Sequence, residues 1–413
     1  MAVIAVPVDT EQGHIFPTFR LAKKLLARGH QIYYIGLAAV EDEIRKQGFE
    51  FRRIMEGVTP ARLMTRPSTP SKGGQMDRLT QDRYLEAAYL EALVRGEAID
   101  DLMQELKPDV ALMSCHQYTE SIVIRYRYNV PVVSLTSHLV AEPRTIVFQN
   151  VIDHLLNVPC MVDLIDLLLS AKVEIKNFAD VAALILQMPE LVFYPKAFEL
   201  PGIDHDPLFF HVGHEVDLGR WEEPFDWGQL RADGPLIYCS LGSQLDHKSE
   251  ISRQFIRTVI AAAAKRSDWQ FVVALGAKLN AKEFEPIPQN VVLSHWAPQI
   301  QMLSRASVMI THAGLGGVKE SILHGVPMLA LPLMRDQFDS ANRITHHGLG
   351  AQGDIERIGP EELSSMLDRL IADRSIRERV SAMRDEFERA EALNLSVTII
   401  EKVIAGRPLI NSI

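Results

Sequence analysis

The feature that most narrows what this chain can fold into is one pattern that occurs twice. Short apolar runs alternate with helix-periodic segments, first at 3–8, Gln31–Gly36, 109–114, 131–135 and 190–194. Runs apolar on both faces belong to parallel strands, and their alternation with helices predicts doubly wound α/β sheets. Between the first two runs lies FRLAKKLLARG, whose Phe19, Ala22, Leu25 and Leu26 share one helical face, with Gly29 placed to end the helix. The pattern restarts with PLIYCSLG, QFVVALG, VVLSHW, VMITHA and PMLALP, separated by helices such as 249–266. The predicted fold class is therefore α/β, with two Rossmann-like doubly wound domains.

A chain of 413 residues is long enough for two full cores. The break between the two series is residues 215–234, rich in Gly, Pro, Trp and acidic side chains. The expected division is a first domain at 1–214, a linker at 215–234, a second domain at 235–385, and a helical segment at 386–413 that packs back on the first domain. Two stretches leave the rhythm. Residues 55–77 read as a loop, and the apolar helical stretch 151–188 suits core packing or a pocket lining equally.

A net charge of −10 argues against nucleic acid as the main partner. Cys115, Cys160 and Cys239 are scattered, without a disulfide framework or a metal-type pair, which suits a reducing cytoplasm. The opening MAVIAVPVDT lacks the basic region and long apolar core of a signal peptide and reads as a strand. With no apolar run of about eighteen residues, no membrane span is expected.

The chemistry concentrates in residues 296–337: WAPQ, a strand MITH, AGLGGVKES opening a helix, and GVPMLALPLMRDQ. A strand that ends in His312 and runs through glycines into a helix is a phosphate site on physical grounds. The helix start offers unpaired N–H groups and the positive end of its dipole. Gly314, Gly316 and Gly317 keep side chains out of an anion's way. In the first half, His14 is expected in the loop after the first strand, at the carboxyl edge where open α/β sheets bind ligands. An imidazole with an ordinary value near 6.5 serves as a base near neutral pH.

Taken together, GHIFP after the first strand, YCSLGS, WAPQ, HAGLGGVKES and GVPMLALPLMRDQ resemble the UDP-glycosyltransferase superfamily, in particular bacterial enzymes that glycosylate natural products. The resemblance implies a GT-B fold, two domains facing across a cleft, and a nucleotide-sugar site in the second. Trp296 would stack on the pyrimidine, with the backbone near Ala297 reading the base edge and Gln299 close by. His312, Ser243 and the Gly316 and Gly317 amides would hold the diphosphate, Glu320 the ribose, and Asp336 with Gln337 the sugar hydroxyls. His14 would deprotonate the acceptor hydroxyl for an inverting displacement that needs no metal and no cofactor beyond the co-substrate.

The chain departs from that family in two places. Gly316-Gly317 stands where many relatives have Asn-Ser, and the strand PDVALMSCHQ lacks the Asp that usually orients the histidine. Asp109 begins that strand, too far from its end at about 3.3 Å per residue. Ser114 is the substitute partner, with His116 a further possibility. Cys115 and His116, as strand neighbours, should point to opposite faces and not meet. Each residue also has a plainer reading. Trp296 suits a core edge, His312 a buried histidine, Glu320 a solvated helix face, Asp336 an N-cap and His14 a helix start.

The expectation is a cytoplasmic glycosyltransferase moving a hexose from a UDP- or dTDP-sugar to a hydroxyl of a lipophilic small molecule. The alternatives are a sugar-nucleotide epimerase or hydrolase on the same architecture, and a non-catalytic helper that binds a partner enzyme.

Overall fold

The computed structural model describes residues 1–54, 89–139, 144–157, 160–203, 207–231, 233–242, 249–276, 279–334 and 336–409. The loop expected at 55–77 and the side chain of Ser243 lie outside them. The first sheet is wholly parallel, with strand order β3-β2-β1-β4-β5-β6-β7. Its strands are β1 (Val3–Pro7), β2 (Gln31–Gly36), β3 (Glu50–Arg53), β4 (Val110–Ser114), β5 (Val132–Thr136), β6 (Glu190–Val192) and β7 (Phe209–His211). The second is also parallel, in the order β10-β9-β8-β11-β12-β13. It is built from β8 (Leu236–Ser240), β9 (Gln270–Ala274), β10 (Val291–Ser294), β11 (Val308–Thr311), β12 (Met328–Ala330) and β13 (Gly350–Gln352).

Both sheets therefore start in the middle, wind outward to one edge, and return to wind to the other. The order reverses between β1 and β4 in one sheet and between β8 and β11 in the other. At such a switch point adjacent loops part in opposite directions and leave a crevice.

The helix after β1, Gln12–Ala27, buries Ile15, Thr18, Phe19, Leu21, Ala22 and Leu25. Leu26, expected on that face, is instead 42 % exposed. Gly29 follows the helix at φ +84°, the left-handed backbone that ends it. One face of stretch 151–188 packs the core: Val151, Leu155, Leu164, Leu168 and Val181 are buried with Met113 and Ile122 beneath one side of the first sheet, while Leu156, Val162 and Leu169 are exposed.

The halves are joined by apolar packing and by buried charge. Val192, Tyr194 and Phe198 share one cluster with Ala313, Leu315, Val318, Ile344 and Phe387. Segment 215–231 is tightly held. Glu215 is fully buried, and its carboxylate accepts from Lys24 Nζ at 2.7 Å and Ser396 Oγ at 2.5 Å. Glu391 takes the same lysine at 2.8 Å and accepts the Glu215 N–H at 3.1 Å. The last helix, Leu395–Ile404, buries Val397, Ile399 and Ile400 with Ile4, Val6 and Phe19 of the first domain. Among the described residues, no helix is long and apolar enough to cross a membrane.

Candidate active site

His14 is not in a loop. The helix starts at Gln12 and His14 sits in its first turn, its N–H donating to the Glu11 carbonyl at 2.9 Å. Its Nδ1 lies 2.6 Å from Asp9 Oδ2. Asp9 is fixed in turn, because its other oxygen accepts the Glu11 N–H at 2.8 Å, an Asx-type turn between β1 and the helix. The positive helix end disfavours a charged imidazole, and a carboxylate on the same ring offsets that. With Nδ1 held by Asp9, Nε2 is the nitrogen directed to other chemistry; Glu11 Oε2 stands 3.9 Å from it.

The structure thus supplies a carboxylate partner that the sequence reading did not name. The carboxylate comes from the turn before the histidine, five residues back, rather than from the end of β4. Ser114 shares the small cleft with Asp9 and His14, along with Val6, Leu112 and Phe193. Its Oγ accepts the His116 N–H at 3.5 Å, and its own N–H donates to Gln117 Oε1 at 3.0 Å. Asp109 accepts the Val3 N–H at 2.7 Å at the opposite end of the sheet, as its position on β4 requires. Cys115 and His116 do converge, with His138: one ligand atom from each lies within 4.8 Å of the others. β4 ends at Ser114, so the alternation of a strand no longer governs them. Burial pushes the Cys115 thiol far up, which speaks against a free nucleophile.

The second switch point carries the expected donor residues. His312 follows β11, and its ring lies between two glycine turns. A Cβ on Gly242 would stand 2.6 Å from His312 Cε1, and one on Gly314 would stand 2.4 Å from Nε2. Gly242 also has φ +85°. Only a chain without side chains at both places lets the imidazole occupy this slot. Burial pulls the ring down to about 4, so it is neutral at pH 7, and Nδ1 has no hydrogen-bond partner among the described residues. Gly314 is the N-cap of helix Leu315–Leu323, and no side chain caps it. A Cβ at Gly316 would meet nothing within 4 Å, and one at Gly317 would meet Met309 Cε at 3.5 Å and Gln299 Nε2 and Thr311 Oγ1 at 3.7 Å.

Trp296 is 44 % exposed, a large indole left half in solvent, while Ala297 beside it is buried. Glu320 is not a solvated helix residue. It is 5 % exposed, and Gln299 Nε2 donates to its Oε2 at 2.6 Å. Arg220 grips the same carboxylate through both terminal nitrogens, Nη2 reaching Oε2 at 3.3 Å. Arg220 also lies 5.1 Å from the Phe16 ring and pairs with Glu222, which caps the helix Gln299–Leu303 by accepting the Ile300 N–H at 2.9 Å. This arginine was invisible in the sequence pattern. It ties the Glu320 carboxylate to the helix that bears His14.

Asp336 occupies the N-cap position of helix Gln337–His346, but its side chain does not cap it. Gln337 Oε1 accepts the N–H groups of Leu333 and Met334 at 2.8 and 3.0 Å, which leaves its NH₂ for a hydroxyl. Lys319, one residue before Glu320, is buried and donates across the domain boundary to the carbonyls of Phe193 at 3.0 Å and His214 at 2.7 Å. Phe193 lines the His14 cleft, so one helix of the second domain is bolted to the wall of the first.

Two switch points, one with a carboxylate-backed histidine and one with a glycine-cradled histidine at a helix start, define a two-domain GT-B chain. The profile of the family described as UDP-glucoronosyl and UDP-glucosyl transferase matches residues 227–405. The chain is 24 % identical over 399 residues to the NDP-glycosyltransferase YjiC of Bacillus subtilis (strain 168), covering 94 % of each chain. It is 24 % identical over 429 residues to the demethyllactenocin mycarosyltransferase of Streptomyces fradiae, covering 98 % of this chain and 87 % of that one. The crystal structure of the glycotransferase of kitacinnamycin superposes with a TM-score of 0.75 at 24 % identity, over 98 % and 99 % of the two chains. Residues 227–405 thus carry the profile of that family, and the chain as a whole has the GT-B fold of the glycosyltransferases it resembles.

Proposed function

We propose that the protein is an inverting hexosyltransferase that uses a UDP- or dTDP-sugar and a lipophilic small-molecule hydroxyl, in the cytoplasm and without a metal or further cofactor. His14 Nε2 takes the acceptor proton while Asp9 stabilises the resulting imidazolium through Nδ1. The acceptor oxygen bonds to the anomeric carbon as the carbon–oxygen bond to the diphosphate breaks, and the nucleoside diphosphate leaves. A base of this kind contributes about 10²–10⁴-fold. Neutral His312 and the amides of Gly316 and Gly317 receive the diphosphate charge, which is where fixed donors act most strongly. Trp296 carries the base, Glu320 and Gln299 the ribose, and Asp336 with the Gln337 NH₂ the sugar.

The observation that carries this reading is the 2.6 Å contact between His14 and Asp9. The helper-protein alternative rested on a missing carboxylate, and Asp9 stands in that role, which supports turnover. The test is donor turnover by wild type and His14→Ala over a panel of UDP- and dTDP-sugars with phenolic and macrocyclic acceptors, scored by mass spectrometry. A hexose adduct that falls about 10²-fold or more in the variant supports the base role. Tight donor binding without transfer across the panel would return the helper reading to the front.

A further inference from the structure

Beside the cleft, next to Ser114 and Ser137 of its lining, stands a second cluster that the transfer chemistry does not use. Cys115 and His116 follow β4, and His138 follows β5. These strands are parallel neighbours, with Ser114 opposite Leu135, so their ends stand side by side. Cys115 Sγ is 3.6 Å from His138 Nδ1. The rings of His116 and His138 stack at 4.6 Å and 20°. A tetrahedral ion with metal–sulfur and metal–nitrogen bonds of about 2.3 and 2.05 Å separates those two ligands by about 3.6 Å. Cys115 and His138 already have that spacing. His116 is exposed, and its ligand nitrogen lies within 4.8 Å of the other two ligand atoms.

We propose that Cys115, His116 and His138 form a three-ligand site for a thiophilic divalent cation, with Zn²⁺ as the probe, and that its occupation inhibits transfer. One sulfur and two imidazoles select a borderline or soft ion over Mg²⁺ or Ca²⁺, which take oxygen ligands. On binding, the Cys115 S–H bond gives way to a sulfur–metal bond, the proton goes to solvent, and water fills the fourth position. The His116 ring lies 5.2 Å from that of His14. A dipositive ion there disfavours the imidazolium that a base at His14 must become. The inhibitory clause rests on the transferase reading above; the binding clause does not.

The test begins with chelator-treated protein titrated with Co²⁺, and with Zn²⁺ in competition with a chromophoric chelator. One equivalent should bind, with a thiolate-to-cobalt charge-transfer absorption. Cys115→Ser should abolish that absorption, and both Cys115→Ser and His138→Ala should weaken Zn²⁺ binding at least about tenfold, circular dichroism confirming that each is folded. Zn²⁺ should inhibit transfer by wild type and leave Cys115→Ser active. No stoichiometric binding overturns the site. So does equal binding by wild type and Cys115→Ser with loss in His14→Ala, which would place the ion on His14 and Asp9. Binding without inhibition overturns the regulatory role. A chain that binds the ion but transfers nothing even when metal-free fails the transferase reading instead, and the binding result stands.

Discussion

Asp9 Oδ2 and His14 Nδ1, 2.6 Å apart, belong to one turn and the helix it opens, so the pair is assembled locally at the end of β1. Because Asp9 is also anchored to the Glu11 N–H, the carboxylate does not depend on any other strand to orient the ring.

Asp9→Asn keeps the shape of that turn and removes its charge. The expected result is a fall in kcat of about 10²-fold or more, since the oriented imidazolium loses its counter-charge. Donor affinity measured by calorimetry should not change. Ser114→Ala should leave turnover nearly intact. Equal losses in the two variants would show that the histidine is not oriented by Asp9.

The glycines around His312 should respond in opposite ways. Gly242→Ala forces a Cβ to within 2.6 Å of the ring at φ +85°, so it should cost at least about 1 kcal/mol of stability and weaken donor binding about tenfold. Gly317→Ser meets nothing closer than 3.5 Å and lies inside a helix, so stability should hold or rise by about 0.5 kcal/mol. Denaturant unfolding and donor titration measure both. A Gly242→Ala variant that binds donor normally would contradict the cradle.

Arg220 and Glu320 side chains are each 7 % exposed. Arg220→Met leaves the carboxylate buried with Gln299 as its remaining named donor, and should destabilise by about 3–5 kcal/mol. Adding Glu320→Gln to Arg220→Met should restore part of that loss in a double-mutant cycle. Additive losses would mean that the two residues do not act as a pair.

His214 sets an acid limit on stability. It is 6 % exposed, burial pulls it down to about 4, and its Nδ1 accepts the Val216 N–H at 2.9 Å, which a protonated ring does not allow. Between the ordinary value near 6.5 and about 4 the unfolded chain binds more protons than the folded one, so stability falls as pH falls through that window. The contribution reaches about 3 kcal/mol at most. Buried Glu215, whose carboxyl is raised, works in the opposite sense and blunts the slope. His214→Gln should flatten the difference in unfolding free energy between pH 7 and pH 5; an unchanged difference would assign the acid sensitivity elsewhere.

The interior strands were legible because their runs are apolar on both faces, as in IAV, VALM and MIT. The edge strands β3, β7 and β13 were not, since EFRR, FFH and GAQ are short or polar and owe their pairing to a neighbour already in place. The grouping of the residues proposed to hold the donor was legible for a related reason. His312, the glycines and Glu320 follow one strand and enter one helix, so their spacing in the chain is nearly their spacing in space.

By itself the sequence determined two doubly wound halves, a glycine-rich turn from strand to helix and the histidine after the first strand, because local periodicity and chain spacing govern those. Only the tertiary structure decided what faces His14, what holds Glu320 and what meets Cys115. Asp9 is near His14 in the chain, yet whether its turn folds back depends on where the helix starts. Arg220 reaches Glu320 across 100 residues, and Lys319 reaches Phe193 across 126. Such contacts follow from the packing of one sheet's loops against another's, which no pattern within a single segment encodes.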